Sequence, residues 1–357
     1  MNNVSKQKKQ EIPWIHFVRV LACIMVVCLH VCRSADSYSK ESIDNVFLYS
    51  FYYATKPCVP LFFMVTGYLI LPYRNGDNII GFYKKRIPRV LFPLLVWGII
   101  YACLPYFLGM DDLHTTFREL LLSPIKAPER IGGVLWYLFI LIGIYLIIPF
   151  FSEKIYENKL FLKVYLVFWG GTTLIPILKD YYIHNQDILG QWHYIQNFDM
   201  FVYFSGYIGY VLIGYGIKKY YGFWEIFLSR WLNENGKLKY VILLLITIAA
   251  CFVKPIFMEY FLTSGTAVIT ICLFMLLKDI QINTEGKIYR LIKHISAMSF
   301  GIYLCHMLVL KVFFEPLFTH YSASWYVMAI CMIMTFVCAY VISVILSKLP
   351  FKRFIIG

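Results

Sequence analysis

Runs of apolar residues long enough to cross a membrane recur along the whole chain of 357 residues. A helix needs about 20 mostly apolar residues to span the hydrocarbon core of a bilayer. Hydrophobic residues make up 60% of the chain and charged residues only 15%, which is typical of a membrane protein and not of a soluble domain. Ten runs meet the length requirement, at 13–33, 46–72, 88–109, 133–151, 160–178, 201–217, 240–258, 261–277, 297–315 and 325–347. The sequence predicts an all-α polytopic membrane protein with about ten transmembrane helices, in which residues 1–357 form one domain.

The lysines and arginines are concentrated in alternate connections between the apolar runs. With the N-terminus placed inside the cell, most of the 33 lysines and arginines fall in inside segments, as the positive-inside rule requires. An even number of spans then predicts that both termini are cytoplasmic. We therefore interpret the net charge of +13 as a topology signal and expect no nucleic-acid partner. The predicted location is the plasma or inner membrane.

The first apolar run carries an ionisable residue near each end. In RVLACIMVVCLH, residues 19–30, Arg19 and His30 flank ten uncharged residues. Eleven helical residues complete about three turns, so both side chains lie on one face, about 16 Å apart at about 1.5 Å per residue. Ionisable side chains inside a span usually face a protein interior or a water-filled cavity. Taken alone, the pair also fits an arginine that reaches the inner interface and a histidine bonded to a backbone carbonyl.

A basic cluster precedes the third run, in FYKKRIPRVLFP, residues 82–93. Arg86 and Arg89 stand one turn apart there, next to Lys85. Guanidinium groups match phosphate oxygens in pairs of hydrogen bonds, so the cluster suits a phosphorylated cytoplasmic ligand. It also fits plain anchoring at the inner face of the membrane.

The second run, which includes KPCVPLFFMVTGYL, contains Lys56 beside two prolines. Because proline removes a helical hydrogen bond, a break or kink is expected near Lys56. Further along, Thr66 and Gly67 permit a close approach of a second helix. A lysine at such a depth needs water, a carboxylate or a substrate.

Two other positions in the apolar runs are candidates for a function. His306 lies deep in the ninth run, where a histidine bonded within the core is the simpler interpretation. Trp136 lies near the start of the fourth run and, on its own, suggests an aromatic belt at the outer interface. The ten cysteines show no CxxC pair and no Cys/His spacing, so neither a metal site nor a disulfide framework is predicted.

The order and spacing of these motifs resemble the acyltransferase-3 family of membrane acyltransferases. The motifs are R-x10-H, VPLFFMVTGYL, KRIPRVLFP, LWYLFIL and SFGIYLCH, and the resemblance runs from about residue 14 to residue 347. Within the family, the chain is similar to the surface-polysaccharide O-acyltransferases. That branch includes acetyltransferases of enterobacterial common antigen and enzymes that modify poly-N-acetylglucosamine. The resemblance implies about ten helices and an enzyme that uses cytoplasmic acyl-CoA to modify a glycan hydroxyl.

The resemblance also implies roles for individual residues. His30 matches the residue regarded as catalytic in the family, and Arg19 matches its arginine partner. Arg86 and Arg89 match an RxxR element linked to acyl-CoA, which Lys85 would assist. The remaining matches are Lys56, at a basic position three residues before the VP of this branch, and Tyr303 and His306, in a YLxH element of less defined role.

These matches lead to a mechanistic hypothesis. His30 acts as general base on a sugar hydroxyl, although a transient acyl-histidine is an alternative. Lys56 stabilises the oxyanion, and Arg19 steadies the arm or the phosphates of the donor. Acetyl-CoA or succinyl-CoA is the expected cosubstrate, with no permanently bound cofactor. The expected partners are a glycan or lipid-linked oligosaccharide and membrane lipid, with homo-oligomerisation left open.

One feature departs from the family. Many members carry an acidic residue before the paired phenylalanines, where this chain has Cys58, Val59 and Pro60. The acidic partner of His30 is therefore open, with Asp36, Asp199 and Glu315 as candidates. A transporter or flippase for a lipid-linked glycan is the alternative function, followed by an inactive relative in a cell-envelope complex. A non-glycan acceptor is also open.

Overall fold

Helices form all the regular secondary structure in the part of the chain that the structure describes. The computed structural model describes residues 11–38, 42–73, 78–129, 131–150, 158–174, 206–220 and 262–357, together with positions 242 and 245. The helices are α1 (Pro13–Ala35), α2 (Ser42–Ala54), α3 (Cys58–Ile70), α4 (Ile79–Arg86), α5 (Pro88–Phe107), α6 (Leu113–Leu122), α7 (Trp136–Ile147), α8 (Lys159–Thr172), α9 (206–220), α10 (Ser264–Asp279), α11 (Lys287–Val309), α12 (Glu315–Tyr321), α13 (Trp325–Ser347) and α14 (Lys352–Ile355). The predicted all-α class agrees with this architecture.

Several helical segments have the length and composition of membrane spans. Among the described residues there are five, at Pro13–Ala35, Ile79–Phe107, Gly132–Phe150, Lys287–Tyr321 and Trp325–Ser347. Their length and composition support the prediction of a membrane protein. Shorter helices occupy other predicted runs, and the run at 240–258 lies outside the described residues except for positions 242 and 245. The total of ten spans and the cytoplasmic termini stay predictions.

α1 is the central helix of the described structure. It packs against α2, α3, α10, α11 and α13. Val18, Ala22 and Val31 are fully buried in these contacts. The helix begins with Pro13 at its first helical position, where the missing N–H of proline costs no hydrogen bond. A helix that is apolar on nearly all sides is thus surrounded by others, and its Arg19 and His30 face cavities inside the protein.

The second apolar run is broken where the sequence predicts a break. α2 ends at Ala54, a turn follows, and α3 begins at Cys58. Pro57 and Pro60 flank the start of α3, where proline is tolerated because the first N–H groups of a helix have no partner within it. The turn carries Lys56 into the interior, where only 4% of the residue is exposed.

α3 and α9 cross with their backbones in contact. A Cβ atom added at Gly67 would lie 1.8 Å from the carbonyl oxygen of Val211, and one added at Gly214 would lie 2.1 Å from the carbonyl oxygen of Met64. Each helix therefore supplies one glycine to the crossing. This arrangement confirms the close approach predicted at Gly67, and it resembles the small-residue contacts that join membrane helices.

α11 continues into α12 through a wider turn. The segment Leu310–Phe314 is π-helical, a distortion that often occurs near functional sites. Lys311 in this turn forms an ion pair with Glu315 at 2.5 Å. α13 packs against α11 and exposes Ile330, Ile333 and Val337 on its other side, as a lipid-facing helix would.

Candidate active site

Two histidines from helices far apart in the chain meet in the core. α1 contributes His30 and α11 contributes His306, with ring centroids 5.2 Å apart and ring planes at 46°. His306 is fully buried. Its Nδ1 is 2.5 Å from the carbonyl oxygen of Tyr303, so Nδ1 carries the hydrogen that is donated. Nε2 is then the acceptor nitrogen of a neutral ring, and it is buried without a hydrogen-bond partner in the described structure.

His30 lines a small cavity of about 70 Å³, and the positively charged side chain of Lys56 lines it as well. We call this space the histidine cavity. The Nζ of Lys56 donates a hydrogen bond of 2.9 Å to the Tyr52 hydroxyl. The same Nζ lies 4.2 Å from the centroid of the Tyr52 ring. Tyr52 therefore holds the lysine beside His30 both through its hydroxyl and through its ring face. Trp136 completes this side of the cavity.

A wide cavity of about 740 Å³ adjoins the histidine cavity. The two share four lining residues, namely Arg33, Tyr52, Lys56 and Trp136. Tyr49, Phe139 and Tyr207 add aromatic surface to the wide cavity. It is therefore a roomy chamber of aromatic rings and positive charge that leads to His30. Trp136, which the sequence associates with an interfacial belt, lies at the junction of the two cavities.

Two further cavities, each of about 400 Å³, lie on the other side of His30. Arg19 and Arg89 line the first, which we call the Arg89 cavity, and it shares Tyr137 and Tyr303 with the histidine cavity. Arg19 and Arg86 line the second, the Arg86 cavity. The two arginine cavities share Arg19 and Tyr145.

α1 and the residues that cap its two ends line all four cavities in the order of the sequence. The Arg86 cavity is lined by Ile12, Ile15, His16 and Arg19, and the Arg89 cavity is lined by Arg19 and Val26. The histidine cavity is lined by Val26, Leu29, His30 and Arg33, and the wide cavity is lined by Cys32, Arg33 and Asp36. A row of adjoining spaces therefore follows the helix from end to end. The two ionisable residues of the R-x10-H pair open onto separate parts of this row.

The arginines at one end of the row have no acidic partner within the described ranges. Neither Arg19 nor Arg86 nor Arg89 takes part in the ion pairs found there. Their positive charge is thus available to an anion that enters either arginine cavity. Lys85, which the sequence groups with them, is exposed and lines none of the four cavities.

Two of the three candidate carboxylates for His30 are engaged with other side chains. Asp36 accepts a hydrogen bond of 3.0 Å from the Tyr49 hydroxyl, and Glu315 pairs with Lys311. Asp199 lies outside the described residues. In the parts of the chain that are described, no carboxylate hydrogen-bonds to His30, and its ring neighbour is His306. Sequence reasoning singled out both histidines but missed their pairing, because no local pattern encodes the packing of α1 on α11.

Tyr303 is fixed at the junction between the histidine and Arg89 cavities. Its hydroxyl donates a hydrogen bond to the carbonyl of Val134. Its ring stacks on Phe300, with centroids 6.2 Å apart and planes at 13°, and meets Tyr137 edge-on at 5.5 Å. The residues of the predicted YLxH element therefore lie at one place, since Tyr303 lines the junction and its carbonyl oxygen bonds His306.

Comparison with known proteins identifies the family. The family described as "Acyltransferase domain", acyltransferase-3, matches residues 12–344. No curated protein and no solved structure matches the chain. The matched range contains every residue that lines the four cavities apart from Glu11, Ile356 and Gly357. The chain belongs to the acyltransferase-3 family and is a membrane acyltransferase.

Proposed function

We propose that the protein transfers an acetyl group from cytoplasmic acetyl-CoA to a hydroxyl of a cell-surface polysaccharide or of its lipid-linked precursor. The observation that carries this proposal is the row of cavities along α1. Arginines that form no ion pair among the described residues line one end of the row, a histidine pair lies in its middle, and an aromatic chamber lies at the other end. A donor and an acceptor can reach His30 from opposite directions in such an arrangement.

The arginine cavities suit the donor. Coenzyme A carries several phosphate charges, and Arg86 and Arg89 can each offer a planar fork of donors to phosphate oxygens. With the predicted topology, this end of α1 faces the cytoplasm. The nucleotide would stay there, since charged groups enter the hydrocarbon core only at high cost. The thin pantetheine arm would pass Arg19 and cover the distance of about 16 Å along α1 to His30.

The wide cavity suits the acceptor. Ligand pockets combine aromatic surface with a few placed polar groups, and this cavity offers Trp136, Tyr49 and Tyr52 together with Arg33 and Lys56. With the predicted topology, it lies toward the outer side of the membrane. Its volume of about 740 Å³ has room for more than one sugar unit.

The chemistry follows from the residues around the histidine cavity. His30 accepts the proton of the acceptor hydroxyl as the oxygen attacks the thioester carbonyl. A carbon–oxygen bond forms and the carbon–sulfur bond breaks. The proton held by His30 then passes to the departing thiolate of CoA, so that the histidine is regenerated. Lys56, held by Tyr52, is the cation that would stabilise the oxyanion as it develops.

The test measures CoA release by the purified protein in nanodiscs, with acetyl-CoA or succinyl-CoA as donor. Short N-acetylglucosamine oligosaccharides serve as acceptor. We expect acceptor-stimulated release that is abolished by His30→Ala. The control is His294→Ala, because His294 is a helical histidine of α11 that bonds the Tyr340 hydroxyl and lines none of the four cavities.

The outcomes separate the proposal from its alternatives. Full release by a folded His30→Ala protein would contradict the role of His30. Release from succinyl-CoA alone would keep the reaction and change the acyl group. Movement of a lipid-linked glycan across the bilayer, without use of either thioester, would favour the flippase.

A further inference from the structure

The second histidine of the pair has no role in the mechanism above. We propose that His306 is a positioning residue, whose Nε2 accepts a hydrogen bond from the ring N–H of His30 and so fixes the tautomer of the base. The other ring nitrogen of His30 is then held as a proton acceptor that faces the substrate hydroxyl. This inference rests on the proposed function, because it assumes that His30 is the general base.

The hydrogen bonding of His306 leaves one nitrogen for this purpose. Its Nδ1–H is donated to the Tyr303 carbonyl, which makes Nε2 the acceptor of the neutral ring. Nε2 is fully buried and has no partner in the described structure. A buried acceptor without a partner destabilises the fold, so such an atom in a native core calls for an explanation. The ring next to it is that of His30.

The charged side chains around His30 are cations, which cannot accept a hydrogen bond from its ring N–H. The charged side chains that act on it are Arg33 of its own helix, Lys56 of the turn before α3 and Lys311 of the π-helical turn. Lys311 is paired with Glu315. A catalytic histidine is often oriented by a carboxylate, yet none bonds His30 among the residues described. His306 occupies the place where such an orienting group would stand.

The two rings differ in how firmly they are held. His306 is fully buried, bonded through Nδ1, and in ring contact with Tyr303 at 5.9 Å between centroids. His30 is only partly enclosed, since one side opens onto the histidine cavity. The centroids are 5.2 Å apart, a separation at which one nitrogen of each ring lies within hydrogen-bond reach when the two nitrogens point at each other. His306 is therefore held in one orientation and can orient the ring of His30.

The proton balance of the reaction is unchanged by this contact. His30 takes the hydroxyl proton on its cavity-facing nitrogen and later gives it to the thiolate of CoA. The N–H that faces His306 stays on His30 throughout. His306 thus transfers no proton and touches no substrate, and its contribution is to keep His30 in the productive tautomer and orientation.

Two substitutions at position 306 distinguish this role from a merely structural one. His306→Asn places an amide near the position of Nδ1, where it can still donate to the Tyr303 carbonyl, but it removes the acceptor at Nε2. His306→Gln extends an amide oxygen toward the position of Nε2. We expect kcat for acetyl transfer to fall at least about 100-fold in His306→Asn, with KM for acetyl-CoA unchanged, and to recover at least about tenfold in His306→Gln, in line with the cost of losing an orienting partner.

The readouts are kcat and KM for CoA release, together with the midpoint of thermal unfolding in detergent. A His306→Asn protein with wild-type kcat would overturn the inference, and so would equal loss of kcat in both variants at wild-type unfolding midpoints. His294→Gln serves as the control for a histidine of α11 outside the cavities. The proposed function fails separately, if His30→Ala keeps its activity. If His30 is essential and His306→Asn is fully active, only the positioning role is wrong.

Discussion

The Tyr303 hydroxyl donates a hydrogen bond to the Val134 carbonyl, and this bond joins α11 to the turn before α7 where two cavities meet. Val134 lines the histidine cavity, and Tyr303 lines both the histidine cavity and the Arg89 cavity. The bond therefore sets the width of the junction through which the proposed donor would reach His30.

Tyr303→Phe tests this junction. Loss of the hydroxyl leaves a buried carbonyl without its donor, which should lower the free energy of unfolding by about 1–3 kcal/mol. Tyr101→Phe is the matched control, because the Tyr101 hydroxyl bonds the Leu304 carbonyl at 2.5 Å but lines none of the cavities. Both variants should unfold at lower temperature, as measured by scanning fluorimetry. Only Tyr303→Phe should lower kcat per folded molecule, and an equal loss of kcat in Tyr101→Phe would show that the junction has no special role.

Arg89→Ala should raise KM for acetyl-CoA. A hydrogen bond to a charged group contributes about 1.5–3 kcal/mol, which corresponds to an increase of about 10- to 100-fold. Arg89→Lys should recover only part of this, because an ammonium lacks the planar fork of the guanidinium. Lys84→Ala is the control, since Lys84 is exposed and lines none of the four cavities. Steady-state CoA release checks the prediction, and equal KM values for Arg89→Ala and Lys84→Ala would refute it.

Lys56→Met should lower kcat and leave KM for the donor nearly unchanged. Loss of one oxyanion donor costs about 100- to 1000-fold in kcat. Lys126→Met removes another lysine of the wide cavity, whose ammonium is paired with Glu129, and should change kcat by less than about threefold, as a solvent-exposed ion pair contributes little. A Lys56→Met enzyme with full kcat would exclude the oxyanion role.

Gly67→Ala should destabilise the protein by about 3 kcal/mol or more, the upper range for overpacking. The new methyl group would lie 1.8 Å from the Val211 carbonyl oxygen, and backbone cannot move aside as a side chain can. Gly143→Ala is the comparison, because a Cβ there meets nothing within 4 Å and alanine suits a helix interior better than glycine. Thermal unfolding in detergent measures both, and equal midpoints would show that α3 and α9 do not cross as described.

Glu11 should make stability depend on pH at the acidic side. It accepts hydrogen bonds from Lys293 and Tyr289, both at 2.7 Å, and from His16 at 3.1 Å, and chiefly the bond from Lys293 lowers the pKa of Glu11 from 4.5 to about 2. A lowered pKa stabilises the fold fully above the unfolded value, and this stabilisation is lost as pH falls toward the folded value.

The measurement is the midpoint of thermal unfolding of the wild type and of Glu11→Gln as a function of pH. The difference between the two midpoints should be constant above about pH 5 and shrink between about pH 4.5 and pH 2. A difference that does not change over this range would show that the ionised carboxylate contributes nothing.

The extents of the helices could be predicted where composition alone decides them. The runs predicted at 13–33 and 325–347 correspond to Pro13–Ala35 and Trp325–Ser347, because the bilayer sets the length of an apolar helix. The break beside Lys56 was also predictable, since proline acts locally on the backbone. The π-helical turn Leu310–Phe314 gave no such signal, and the identity of neighbouring helices depends on contacts between distant residues.

The candidate site was predictable only in part for the same reason. Arg19 and His30 stand out because an ionisable residue in an apolar run is unusual. The contact of His30 with His306 and the bond that holds Lys56 on Tyr52 arise from tertiary packing. Tyr52 itself is one of 29 tyrosines, and nothing in its neighbourhood marks it as the residue that positions a buried lysine.

The glycine crossing of α3 and α9 also constrains how the passage along α1 can move. α3 borders the histidine cavity and both arginine cavities, and its backbone rests directly on that of α9. Because such a contact contains no side chains that could change rotamer, we expect α3 to keep its position against α9. Widening of the passage for a substrate then requires movement on the opposite side, where the rings of Tyr137 of α7 and Tyr303 of α11 are in contact.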